Sequence, residues 1–410
     1  MRAVIVSTGR RIMPFGHPPG ETPLPGGNLE AFQREALAAC GVSDVRSVAP
    51  GEDLGAGPVL TLADDLLVGR RLLADFLAAA GESEADRVAL ALEPCVFTRE
   101  HAPLQDLAAT PEGAPLYPLL RLRSGGLAPS AGADATAGAE PLLLSTREKV
   151  LSIPVPRHYF GDDTLDIPIT ARPALRVRHW MHVILANRIV VSERWERRPA
   201  WQRWWRIARA IVLAIKPTAP RILRHLSRIG RRCNIHPTAV IEGSTIEEGV
   251  TVGPNAVVRF SHVGRGSMIM DGAAVSFSSL ASEALVAANS VVNHCVLYPK
   301  ATAGQYLMQL CVLGEEAVTT GGGFFIDMTR GEEDIRVELD GEIVSSGQRF
   351  LGAAVGNRAF IGTGFWMAHG RAIPNDYVIV RAPECILRRI PKDLPPGVPL
   401  AVRHGTLEPL

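Results

Sequence analysis

The stretch that decides the fold is residues 235–275, IHPTAVIEGSTIEEGVTVGPNAVVRFSHVGRGSMIMDGAAV. Small aliphatic residues return in it at Ile241, Ile246, Val252, Val258, Val263, Ile269 and Val275, with Gly, Pro, Asn, Asp or Ser between them. The series resumes at Val355, Ile361, Met367, Ile373 and Ile379. A spacing of six fits neither a helix of 3.6 residues per turn nor a strand of period two. It fits a coil of three short flat faces, one hexad to a face, stacked into a prism. Two steps of five, Ile241 to Ile246 and Val258 to Val263, loosen the count. Glycines recur at corner positions such as Gly253, Gly264, Gly356 and Gly362. The expectation is a left-handed parallel β-helix over 233–390, interrupted by an inserted loop at 303–351 and followed by a tail, 391–410.

The first 170 residues read differently. Ala3 to Ser7 makes a short buried strand, a Gly- and Pro-rich loop runs to Gly27, a helix spans about Asn28 to Cys40, and a strand follows from Asp44 to Val48. This is a βαβ unit of Rossmann-like α/β type, and its loop lies at the sheet edge where such folds take phosphates. Asp64 and Asp65 follow the strand-like run from Val59. They either present a carboxylate to a metal beside that loop or simply end the strand before the helix Val68 to Ala80. Residues 123–140 are rich in Ser, Gly, Ala and Pro and read as a surface loop. Asp162, Asp163 and Asp166 read as a solvated acidic turn or a second carboxylate source.

Composition bounds the function. With 43 Lys and Arg against 42 Asp and Glu in 410 residues, the chain is nearly neutral, which argues against nucleic acid as a partner. The six cysteines form no CxxC pair and read as buried thiols of a reducing cytoplasm. The opening Met1-Arg-Ala-Val-Ile-Val reads as a strand rather than a secretory leader, and the sequence holds no run of about twenty apolar residues. Basic residues are almost all arginine, and no lysine precedes Lys149. Between Arg176 and Arg232, Trp180, Trp195, Trp201, Trp204 and Trp205 lie among many arginines and two acids. This connector, 171–232, reads either as helices packing on the base of the β-helix or as a peripheral contact with the inner membrane face through Trp195 to Ile215.

The opening, Ala3-Val-Ile-Val-Ser-Thr-Gly-Arg-Arg-Ile-Met-Pro-Phe, with Thr22-Pro-Leu-Pro-Gly-Gly-Asn and Phe32-Gln-Arg-Glu-Ala-Leu-Ala-Ala-Cys-Gly-Val, resembles the start of the nucleoside-diphosphate-sugar pyrophosphorylases. Joined to the hexad repeat, it resembles the bifunctional uridylyltransferase/acetyltransferase architecture. The resemblance implies a cytoplasmic sugar nucleotidyltransferase acting on a sugar 1-phosphate for a bacterial envelope or exported polysaccharide, working as a homotrimer. It implies nucleotide binding by Gly9, Arg10 and Arg11, with Arg11 also catalytic, and Mg²⁺ on Asp65. Thr22 stands before Pro23 where that family has lysine, so an arginine would have to steady the phosphate.

Hexapeptide-repeat acyltransferases supply an alternative, using acyl-CoA on a sugar nucleotide. Asn293-His294-Cys295 is similar to their Asn-His motif, which makes His294 the candidate base, ahead of His262 and His369. The Thr319-Thr-Gly-Gly-Gly-Phe-Phe stretch offers Gly321 and Gly322 for close approach to a phosphate or pantetheine amide. A hairpin is expected at Ile335 to Val344, turning at Asp340-Gly341. A third reading is a non-catalytic scaffold docked on a membrane.

Overall fold

The computed structural model describes residues 2–130, 132–157, 163–196, 200–214, 218–304, 306–329, 333–394 and 396–410. Asp162 and Ile215 lie outside the described residues, as does the side chain of Trp195.

The α/β region is built on a mixed sheet. Strand β1 (Arg2–Val6) lies between β2 (Val45–Val48) and β3 (Val59–Ala63), both parallel to it. Beyond β3 the order continues through an antiparallel strand, Pro115–Leu122, to β4 (Arg87–Leu92) and a last parallel strand, Glu140–Leu144. Helix α1 (Leu29–Ala39) makes the first crossover; Asn28 caps it by accepting from the Ala31 N–H at 2.9 Å, so its first turn does not leave that donor orphaned. Helix α2 (Arg70–Glu82) follows the Asp64-Asp65 turn. Val59, Leu60 and Leu62 are fully buried, as expected of a strand covered on both faces.

The C-terminal region is a parallel β-helix. Among its described residues the strands stack into three parallel sheets of eight, eight and seven. Arg228 pairs beside Thr245, Thr245 beside His262, His262 beside Ser279 and Ser279 beside Val296, so a coil takes 17 residues. The five-residue steps seen in the sequence are thus one shorter face per coil. A column of corner residues with positive φ, Gly243, Phe260, Phe277, His294 and Leu310, lies at these shorter faces. Beside it, Ser244, Ser261, Ser278, Cys295 and Cys311 form a ladder. Each side chain accepts the backbone N–H of the next rung, from Ser261 up to Ala353. Ile246, Val263, Leu280, Leu297, Leu313 and Val355 fill one side of the core.

The inserted loop is shorter than the sequence suggests. Strands Thr302–Ala303, Leu307–Gln309, Val312–Leu313, Val318–Thr319 and Phe324–Phe325 all belong to the prism, which is left only after Phe325 and rejoined at Ala354–Val355. The hairpin itself forms as expected: Arg336–Leu339 pairs with Glu342–Ser345, turning at Asp340-Gly341 with both φ angles positive. The tail holds another hairpin, Leu400–Arg403 with Thr406–Pro409.

Helix α3 (Trp180–Glu196) joins the two regions. Trp180, Met181, Val183, Ile184 and Val190 share one core with Ile12, Phe15, Leu29 and Phe97 of the α/β region, Tyr298 and Val312 of the prism, and Ile335 and Val337 of the hairpin. The hairpin therefore packs on its own chain. Gln348 Nε2 also donates to the Glu100 carbonyl at 3.1 Å.

Candidate functional site

Adjacent parallel strands β1 and β3 end together, Val6 beside Ala63, and this places the Ser7–Arg11 loop against the Asp64-Asp65 turn. The Thr8 N–H donates to Asp64 Oδ1 at 3.0 Å, and the Asp64 N–H to the Val6 carbonyl at 2.9 Å. Burial pushes the Asp64 carboxyl up from its ordinary range, while hydrogen bonds from Thr8 and Ser7 pull it back. The Gly9 N–H reaches Ser7 Oγ at 3.3 Å, and Gly9 takes a positive φ that its lack of a Cβ permits.

Asp65 faces the other way. It is fully buried, and Arg176 Nε lies 3.1 Å from both its oxygens with Nη2 2.8 Å from Oδ2. The expected role of Asp65 as the metal ligand is therefore corrected: its carboxylate is saturated by a guanidinium beneath the loop, and the carboxylate at the loop is Asp64. Burial outweighs the arginine and pushes the Asp65 carboxyl up to about 6. Arg176 Nη1 also donates to the Asp106 carbonyl at 3.1 Å, and its N–H to Gln105 Oε1 at 2.7 Å.

The two loop arginines differ. Arg10 Nη2 sits 3.3 Å from Asp106 Oδ2, a carboxylate shared with Arg178 at 3.4 Å. Arg11 is exposed and its Nη1 donates to the Gly16 carbonyl at 2.7 Å. The loop continues onto the prism. The Phe15 carbonyl accepts from Asn357 Nδ2 and Asn375 Nδ2, both at 3.0 Å, and His17 Nε2 is 2.8 Å from the Tyr298 hydroxyl. Phe15 stacks on the His17 ring at 7° and meets the Tyr298 ring tilted by 33°, 4.7 Å between centres.

The structure brings Gly9, Arg10 and Arg11 to one edge. Gly321 and Gly322 lie elsewhere, at a prism corner beside Gly304, Thr363 and Gly364. His294 is a corner residue, its ring stacked on Phe277 at 4.9 Å and 4°, with Phe277 stacked in turn on Phe260. Burial, helped by the Arg188 charge, lowers its pKa to about 4. The ring is thus neutral near pH 7 and a weaker base than an ordinary imidazole. His262 Nε2 is held by Glu247 at 3.2 Å, and His369 Nδ1 is buried without a hydrogen-bond partner among the described residues. Among the described residues no group of three or more His, Cys, Asp or Glu could hold a metal by itself.

Sequence reasoning missed a buried cluster at the start of α3. His179 and His182 meet Arg176 and Arg178 there, and His182 Nδ1 accepts from the backbone N–H groups of Arg178 and His179. His182 Nε2 is 2.9 Å from the Pro103 carbonyl, and His101 Nδ1 2.8 Å from that of Phe97. Burial lowers all three imidazoles, His101 and His179 to about 3 and His182 to about 4. The signal was Arg176-Val-Arg-His-Trp-Met-His, four cationic or titratable residues heading an apolar helix. No protein-family model and no curated protein matches this chain.

Proposed function

We propose that the chain is a sugar-nucleotide transferase whose nucleotide site is the Ser7–Arg11 loop, with nucleotidyl transfer to a sugar 1-phosphate as its reaction. The observation that carries this reading is the Thr8 N–H to Asp64 bond, which sets one carboxylate and two arginines around a glycine loop at the end of parallel strands. Such an edge favours phosphate. Arginine binds phosphate through a planar fork, so Arg10 and Arg11 serve where the resembling family uses lysine. Mg²⁺ characteristically takes one or two carboxylates and completes its shell with substrate phosphates and water, and Asp64 suits that role. When bound, the ion would neutralise phosphate charge. Arg10 would orient the phosphates while Asp106 holds it, and Arg11 would be drawn off the Gly16 carbonyl by an incoming anion.

The test is pyrophosphate release from nucleoside triphosphates with Mg²⁺ and a panel of sugar 1-phosphates. Asp64→Asn should lower turnover about a hundredfold or more without moving Tm, since a metal-bridging carboxylate supplies several kcal/mol. Asp65→Asn should instead lower Tm. Release by no substrate pair, or full turnover in Asp64→Asn, would sink this reading.

A second reading rests on the corner position of His294 in the prism: acyl transfer from acyl-CoA to a sugar nucleotide, with His294 taking the acceptor's proton. Loss of CoA release in His294→Ala, with Asp64→Asn unaffected, would select it. We also infer from the hexad pattern that the prism is left-handed and that three copies associate side by side in the cytoplasm; light scattering should then give three times 44.0 kDa.

A further inference from the structure

Helices α4 (Ala200–Leu213) and α5 (Ala219–Leu226) stand at the first coil of the prism. The Gly243 N–H donates to the Leu223 carbonyl at 3.0 Å and the Ser227 hydroxyl to that of Ile241 at 3.3 Å, which fastens the end of α5. Arg206 Nη2 donates to the Leu226 carbonyl at 3.1 Å and ties α4 to α5. Ala210 turns inward and is buried.

The opposite side of α4 is apolar and open. Trp201, Trp204, Trp205 and Val212 recur at the helical spacing that puts them on one stripe, and they are 69%, 71%, 60% and 77% exposed. Arg209 is also exposed, its guanidinium 5.8 Å from the Trp205 ring centre. Three tryptophans presented side by side to water are costly for a surface that stays wet.

Charge says what covers them. Between Glu196 and Glu242 the sequence holds eleven Lys and Arg and no acid, leaving 32 basic against 42 acidic residues for the rest of the chain. The molecule is a strongly basic end on an acidic body. We propose that this end docks on an anionic phospholipid surface, α4 lying in the headgroup layer with its indoles at the interface and the exposed Arg209 on a lipid phosphate. Pairing of this face with the same face of a second copy does not fit the charge: it would oppose arginine to arginine, with no carboxylate in the segment to pair them. The acidic body would be repelled by the same surface, so the chain would stand on it prism-end down. No helix among the described residues is long and apolar enough to cross a membrane, so the contact is peripheral.

The full chain should float with vesicles of phosphatidylcholine mixed with phosphatidylglycerol, and far less with phosphatidylcholine alone. Trp204→Ala/Trp205→Ala should weaken binding at least about tenfold with an unchanged circular dichroism spectrum and Tm. Arg209→Glu should weaken it by a smaller factor and flatten its salt dependence. No flotation of the wild-type chain with the anionic vesicles would overturn the proposal. So would equal binding by the tryptophan variant, or a tryptophan variant whose light-scattering mass falls, since the face would then be covered by another copy.

Discussion

The prism and the α/β region are of similar weight but are stabilised in different ways. In the prism each inward side chain meets its equivalents one coil away, so Val263 rests between Ile246 and Leu280, and stability grows coil by coil. In the α/β region the decisive contact joins residues 111 positions apart: Arg176 comes back as part of a short strand beside Leu66–Val68 and neutralises Asp65. The first kind of order tolerates damage locally, and the second does not.

Acid should expose the difference most strongly. His101, His179 and His182 are held neutral in the folded chain, with pKa values of about 3 to 4 against an ordinary 6.5. Below pH 6.5 the unfolded chain takes up protons that the folded chain refuses, so stability is present above that pH and drains away as pH falls through the folded values. The slope is on the order of 1.4 kcal/mol per pH unit for each histidine. Asp65, raised to about 6, and Asp64, also raised, have the opposite sign, while His294, lowered to about 4, acts in the same direction as the three imidazoles. Urea midpoints measured from pH 7 to 4 should fall, and His101→Gln/His182→Gln should shallow the fall; a flat profile would show that these imidazoles are not buried neutral.

Removing a charge partner comes next in size. Arg176→Met strands a buried carboxylate and should cost about 3–5 kcal/mol, with unfolding of the α/β region ahead of the prism. If equilibrium unfolding stayed a single transition with an unchanged midpoint, the pair would not be the keystone described here. The smallest effect belongs to the prism core: Ile361→Val should cost about 0.5–1.5 kcal/mol, and hydrogen exchange should quicken only in the neighbouring coils.

How legible each region was in the sequence follows from the same contrast. Ile241 through Val275 announced the prism because each face spends one residue inward, and a local rule repeats in a local string. The rule was lost at Ala303, Met308 and Thr319, where an inward alanine, two consecutive five-residue faces and a buried hydroxyl disguise three more coil faces, so the insertion was read as starting too soon. The strand-loop-helix opening and the Asp340-Gly341 turn were also legible, being short-range. Which of Asp64 and Asp65 faces the loop was not, because the answer lies in Arg176. Five tryptophans looked alike in sequence, yet Trp180 is buried in the shared core while Trp201, Trp204 and Trp205 are open. The partners that sort them are distant in the chain.

The Phe15 carbonyl, held by Asn357 and Asn375, bears on how such a chain can change over time. Two amides from successive late coils hold the loop that opens the protein, so the last part of the chain completes a feature begun in the first. The two regions are consequently not interchangeable cassettes. Grafting a foreign prism onto this opening would leave the Phe15 carbonyl and the His17 ring without their partners, and shortening the prism by its final coils would release the Phe15 end of the opening loop. Descent of this chain has to preserve both ends together, and recombination between its regions is the route of change that the seam closes off.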